Sequence, residues 1–236
     1  MNTLGIIAFA LLGGIGPALV WLWFWIRQDN VDPEPRMQII ITFIAGMAVV
    51  PLVYPLETTL FDIYKNSLLI LFISWATVEE FFKLAAAYVT GLTSTAMDDP
   101  IDAIIYVITA ALGFAALENV LFLYIPLASG DIEQTLITSN MRFVGANLLH
   151  VVASAAIGAG IALTYYRTRV WRIIYSFGGI LTSIALHTAF NFFIMNTGPE
   201  RMVVIFAIVW LGIIALIFVF QRAKYLKQKH LKSLQN

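Results

Sequence analysis

Three ionisable residues, Glu79, Glu80 and Lys83, sit in the middle of an apolar run in the stretch SWATVEEFFKLAAAYV, residues 74–89. Glu79 and Lys83 are four apart and share a helix face, with the acid on the N-terminal side, the better order for an ion pair. Glu80 lies about 100° around from Glu79, so Lys83 is expected to neutralise one carboxylate while the other points at a cavity. Further along, GFAALENVLF places Glu118 and Asn119 just after the small residues Gly113, Ala115 and Ala116. GANLLHVVAS holds Asn147 and His150 three apart, and ALHTAFNFF holds His187 and Asn191 four apart. A carboxylate with an imidazole can hold and deprotonate a water. A second imidazole beside an amide can donate hydrogen bonds to an oxyanion. Together these groups suffice for peptide hydrolysis.

Cysteine is absent, and none of Ser74, Ser154, Ser176 and Ser183 lies in a nucleophile motif, so attack by water is expected rather than an acyl-enzyme. The favoured expectation needs no cofactor. Zn²⁺ is the alternative, with Glu79, His150 and His187 as candidate ligands and water in the open position. No HExxH, the usual local signature of such a site, occurs in the chain.

The elements that must position these groups are membrane helices. The chain is 60% hydrophobic and 12% charged, with a mean hydropathy of +0.85, far from a soluble globular average. A bilayer span needs about 20 mostly apolar residues. Seven such stretches occur, near 3–26, 37–56, 66–90, 102–127, 139–166, 173–195 and 202–221, joined by short polar connections. They are too long and too continuously apolar for barrel strands, which alternate with period two. The expected fold is all-α: a polytopic integral membrane bundle of about seven transmembrane helices, in one domain over 1–236. Residues 1–26 lack a cationic leader and a small-residue cleavage site, and read as a retained span.

Basic residues suggest the orientation. With the N-terminus outside, the inner connections and the tail 222–236 carry Arg27, Arg36, Arg167, Arg169, Arg172, Arg222, Lys224, Lys227, Lys229 and Lys232, against only Lys65 and Arg201 outside. The tail is then expected in the cytoplasm, read first as a simple topology anchor and second as a segment that can lie against anionic lipid. Formal net charge is zero, and nothing points to a nucleic-acid partner. The partner that composition implies is the bilayer; a single-span, membrane-anchored protein substrate is implied only by the resemblance described below.

Charges inside a bilayer cost roughly 3 kcal/mol each and persist where they pair or line a wet cavity. At about 1.5 Å per residue, Glu79 lies ~20 Å, His150 ~17 Å, Glu118 ~14 Å and His187 ~12 Å from the outer end of its segment. All four fall near the middle of a core ~30 Å thick. A single mid-span Asn or His is usually interhelical glue, worth about 0.6 kcal/mol, and taken alone Asn119, Asn147 and Asn191 read that way. A lone Glu–Lys pair could be a buried structural ion pair, but desolvation makes such pairs poor stabilisers. Two adjacent Glu, a third Glu and two His at one depth point instead to a functional centre.

VEEFFK, DDPIDAIIYVITAALGFAALENVLF, the His of RFVGANLLHVVASAAIGAG and ALHTAFNFF resemble, in order, the motifs of PrsW-type intramembrane proteases, and RQDNVDPEPR resembles that family's acidic loop after the first span. The family is related to the CAAX-processing and bacteriocin-processing membrane proteases. The resemblance implies cleavage of a membrane-anchored substrate in a prokaryotic cytoplasmic membrane, of which first-site cleavage of an anti-sigma factor is one form. By analogy with the CAAX branch, it implies Glu79 as the water-activating carboxylate with His150 as its partner. His187 and Asn191 would form the oxyanion hole, and Glu80 and Lys83 would hold the pair in place. Glu118 and Asn119 would be the PrsW-specific support. Two other classes stay open: a proton or ion pathway, for which no repeat symmetry is seen, and a non-catalytic scaffold of the same superfamily.

Overall fold

The computed structural model describes residues 3–29, 32–196 and 199–235. Among them the chain is helical without strands: α1 (Thr3–Ile26), α2 (Arg36–Ala48), α3 (Val50–Tyr64), α4 (Leu68–Ala87), α5 (Pro100–Ser129), α6 (Ile132–Met141), α7 (Asn147–Leu163), α8 (Arg169–Asn196) and α9 (Pro199–Gln235). Asn30 and Val31 of the acidic loop lie outside the described residues. So does the side chain of Arg201, which weighs in the charge bias.

Five rods are long and apolar enough to cross a membrane: Thr3–Ile26, Arg36–Tyr64, Pro100–Ser129, Arg169–Asn196 and Val203–Gln235. The second is α2 continued by α3. The two remaining apolar segments form α4, 20 residues long and interrupted by Glu79, Glu80 and Lys83, and α7, with 17 residues. The polytopic helical membrane bundle expected from composition is therefore the fold observed.

Three boundaries differ from the expectation. The segment near 139–166 is not one helix: α6 ends at Met141, and a π-helical turn, Arg142–Ala146, joins it to α7. Apolar content does not mark such a turn. The second segment, expected to end at 56, runs on through α3 to Tyr64, because the polar residues from Glu57 onward still hydrogen-bond helically. The last helix continues through the basic tail, where Lys227 pairs with Asp99 and with Asp32 at 3.3 Å.

The bundle is organised around α5. Its apolar residues run all the way round, the pattern of a helix buried on every side, and 94% of its most apolar window lies inside the protein. It packs on α1, α2 and α7, while α8 packs on α4 and α7. Glycines let the backbones close up. Gly113 faces the Phe43 carbonyl of α2, Gly46 faces the Ala110 carbonyl of α5, and a Cβ on Gly158 of α7 would lie 2.8 Å from Ile104 Cα. The N-terminus of α5 is fixed by a capping box: Asp99 accepts from Ile101 N–H at 2.6 Å, and Asp102 accepts from Asp99 N–H at 2.7 Å and Asp98 N–H at 2.9 Å. Pro100 supplies a pre-set φ at the first helical position. At this end Tyr106 donates its hydroxyl to Glu34. Burial pushes the Glu34 carboxyl above the usual range, with Asp98 and Asp99 repelling its charge.

Candidate active site

α4, α5, α7 and α8 bring Glu79, Glu80, Lys83, Glu118, His150 and His187 together inside the bundle. Lys83, fully buried, donates to Glu79 Oε2 and Glu80 Oε1 at 2.9 Å each. It thus bridges both carboxylates rather than neutralising one, because i−3 and i−4 lie equally within reach of its Nζ. The same ammonium lies 2.8 Å from His150 Nδ1. Lysine only donates, so Nδ1 is an acceptor and the proton of His150 sits on Nε2, which donates to Glu118 Oε2 at 3.0 Å.

His187 is held the opposite way round. Its Nδ1 lies 2.8 Å from Glu80 Oε1 and donates to it. Its Nε2 therefore presents a lone pair toward Glu79 Oε2, 3.7 Å away. His150 Nδ1 looks at the same oxygen from 4.0 Å. The two rings stand perpendicular, 5.2 Å apart. Two imidazole lone pairs and one carboxylate oxygen thus converge, and the ligand atoms of Glu79, His150 and His187 all lie within 4.8 Å of one another. Each imidazole has a carboxylate behind it to fix ring and tautomer, the outer support that metal-binding histidines use. The Lys83 ammonium, hydrogen-bonded by two of the three groups, shows that this spot accepts a cation.

Every oxygen of Glu80 is committed. Oε1 accepts from Lys83 and His187, and Oε2 accepts from Ser154 at 2.6 Å and Ser183 at 2.8 Å. Two of the four serines set aside as nucleophiles, Ser154 and Ser183, are thus partners of Glu80. Their spacing carried the signal, since Ser154 follows His150 by four residues and Ser183 precedes His187 by four. Glu118 pairs with Arg142, which also donates to Asn119 Oδ1. Asn119 donates to Asn147 Oδ1 at 3.1 Å, and Asn147 Nδ2 returns to the Arg142 carbonyl at 2.9 Å. The π-helical turn places Arg142 and Asn147 to close this circuit. Asn191, one turn from His187, is half-buried and makes no side-chain hydrogen bond among the described residues.

One site residue escaped the sequence reading. Glu57, on α3, is half-buried, and its backbone carbonyl accepts from the Nε1–H of Trp75, one turn before Glu79 on α4, at 2.9 Å. It lies one residue past the end expected for the second span. A cavity of about 880 Å³ between α7, α8 and α9 is lined by none of these residues.

A bundle of membrane helices with a buried carboxylate–imidazole centre falls in the class of intramembrane hydrolases. The chain belongs to the PrsW family of intramembrane metalloproteases, whose model matches residues 34–219. It is similar to "Protease PrsW" of Oceanobacillus iheyensis, 26% identical over 87% of this chain and 92% of that one. The protein of the same name from Clostridioides difficile is 26% identical over 89% and 88%. A third, from Geobacillus kaustophilus, is 30% identical over 52% of this chain, which spans only 54% of that relative. No solved structure matches the chain. The family and the apolar helices make this an integral membrane protein of bacterial type.

Proposed function

We propose that the chain is an active intramembrane peptidase that hydrolyses a peptide bond in a membrane-anchored, single-span protein, and that Glu79, His150 and His187 hold a divalent metal of the zinc type. The observation that carries this reading is the convergence of the two imidazole lone pairs on Glu79 Oε2, with Glu80 and Glu118 behind the rings. The family's description as metalloproteases supports it. When bound, such a metal lowers the pKa of a water and polarises a carbonyl oxygen.

The chain's own residues supply the rest. Glu80 and Glu118 lock the tautomers, leaving one lone pair of each ring for the centre. Lys83 balances the charge of Glu79 and Glu80 in surroundings where an unpaired carboxylate is costly. Asn191 donates to the developing oxyanion from the helix face that carries His187. Arg142, through Glu118, ties the centre to α6. The proposed orientation puts the N-terminus outside and the C-terminus in the cytoplasm, following the basic residues. An anti-sigma factor with one span is the substrate the resemblance implies.

Elemental analysis of the detergent-purified protein tests the reading, alongside cleavage of a tagged single-span anti-sigma factor in liposomes. The expected result is about one bound divalent ion per chain, lost with cleavage on chelation and regained with added Zn²⁺. Full cleavage by metal-free protein would overturn the metal and leave Glu79, paired with His150, as the base that activates water.

A further inference from the structure

Most polar groups of the centre are committed to one another. Lys83 directs its three protons to Glu79, Glu80 and His150. Ser154 and Ser183 give theirs to Glu80. Arg142, Asn119 and Asn147 close on one another and on Glu118. Thr188, the residue after His187, breaks this pattern. It is 7% exposed, and its Oγ1 is buried with no hydrogen-bond partner among the described residues. A buried hydroxyl left unpaired is destabilising, and such groups are uncommon in folded proteins.

A helix offers a threonine a ready acceptor, the carbonyl four residues back. Thr77, Thr109 and Thr182 use it, at 2.6, 2.7 and 2.8 Å, and Thr109 is fully buried. Thr188 does not. Its place in the seam between α8 and α4 is bracketed by two contacts. His187 lies 2.8 Å from Glu80 and 3.7 Å from Glu79, and Phe192 meets Phe72 edge-on, with centroids 6.4 Å apart. The two helices run antiparallel, so Thr188 falls between these levels, opposite residues 76–79. Asn191, about one turn further along α8, is likewise without a side-chain hydrogen bond among the described residues.

A peptide bond brought to Glu79 must leave its own helix. In a bilayer, the N–H and C=O groups so freed need partners inside the protein. We infer that Thr188 is a substrate-binding residue: its hydroxyl hydrogen-bonds the substrate backbone beside the peptide bond that is cut, next to Asn191. Glu79 and His187 are as deeply buried as Thr188, so a substrate that reaches them reaches its level too. The inference rests on the reading that peptide hydrolysis occurs at Glu79, and holds with or without a metal there.

Thr188→Val keeps the shape and removes the hydroxyl; Thr188→Ser keeps the hydroxyl. Both are compared with wild type and with Glu79→Gln for kcat/KM on the tagged single-span substrate in liposomes, and for thermal midpoint without substrate. A hydroxyl unpaired in the free protein and paired in the complex gives the Val variant opposite signs in the two measurements. Its kcat/KM is expected to fall about 5–150-fold, because a substrate group is left unpaired, while its midpoint equals or exceeds that of wild type. The Ser variant is expected to recover most of the lost rate. A Val variant with wild-type kcat/KM or a lowered midpoint overturns the inference, and so does a Ser variant as slow as Val. Normal cleavage by Glu79→Gln would instead sink the reading of the centre.

Discussion

Two acidic clusters in this bundle are made of the same kinds of residue and use them differently. At the N-terminal end of α5, Asp99 and Asp102 accept from backbone N–H groups, and Lys227 closes over Asp99 and Asp32. Inside the bundle, Glu80 and Glu118 accept from imidazoles, hydroxyls, Lys83 and Arg142. Oxygens of Asp29, Asp99 and Asp102 also approach within 4.8 Å of one another, so proximity of acids does not separate the two clusters. The source of the donors does. Where the backbone supplies them, the cluster is a helix cap. Where imidazoles supply them, each ring keeps the lone pair of its other nitrogen: that of His187 faces Glu79, and that of His150 accepts from Lys83, itself bound to Glu79.

The largest expected effect breaks the central cluster alone. Glu79→Gln removes the charge on which both lone pairs converge. Cleavage in liposomes is expected to fall by 10²–10⁴-fold, roughly the loss for a removed catalytic base, with helix content unchanged. Near-normal cleavage would reduce the centre to a second structural cluster. At the other end the cost should appear in stability. Asp102→Asn weakens the capping box by about 1 kcal/mol, lowering the thermal midpoint by about 2–4 °C for a chain of this size, with the cleavage rate unchanged. A slowed rate at an unchanged midpoint would erase the contrast.

The smallest effect is a pH dependence at Glu34, which faces Asp98, Asp99, Asp102 and Tyr106. Its carboxyl lies above the ordinary 4.5 because burial disfavours the charge. A raised acid adds stability below its unfolded value and loses that contribution as pH rises through the folded value. Glu34→Gln, which cannot ionise, should therefore melt above wild type near about pH 8, and the gap should close toward about pH 4. A gap that widens on acidification would contradict the assignment.

The sequence carried depth well and azimuth poorly. Hydropathy located the helices, and counting residues along each brought Glu79, Glu118, His150 and His187 to one level. Spacing within a helix placed Lys83 beside Glu79. What one helix shows to another was not legible. Lys83 also reaches His150, and Glu80 gathers Ser154 and Ser183 from α7 and α8, contacts set by packing angles that no periodicity records. Glu57 was lost for a different reason. By hydropathy the polar residues from Glu57 onward read as the end of the second span, whereas α3 keeps its helical hydrogen bonds past them to Tyr64.

The π-helical turn at Arg142–Ala146 bears on how chain length may vary here. Such a turn holds one residue more than an α-helix needs. Deleting a single residue there lets an ordinary α-helical turn close the gap, and α6 and α7 keep their relative facing, because the wide turn had already absorbed the extra residue. The same deletion within α7, which has no such slack, would turn everything before it by about 100°, so this joint is where the chain can shorten by one residue, about 1.5 Å of path, with Arg142 still facing Glu118.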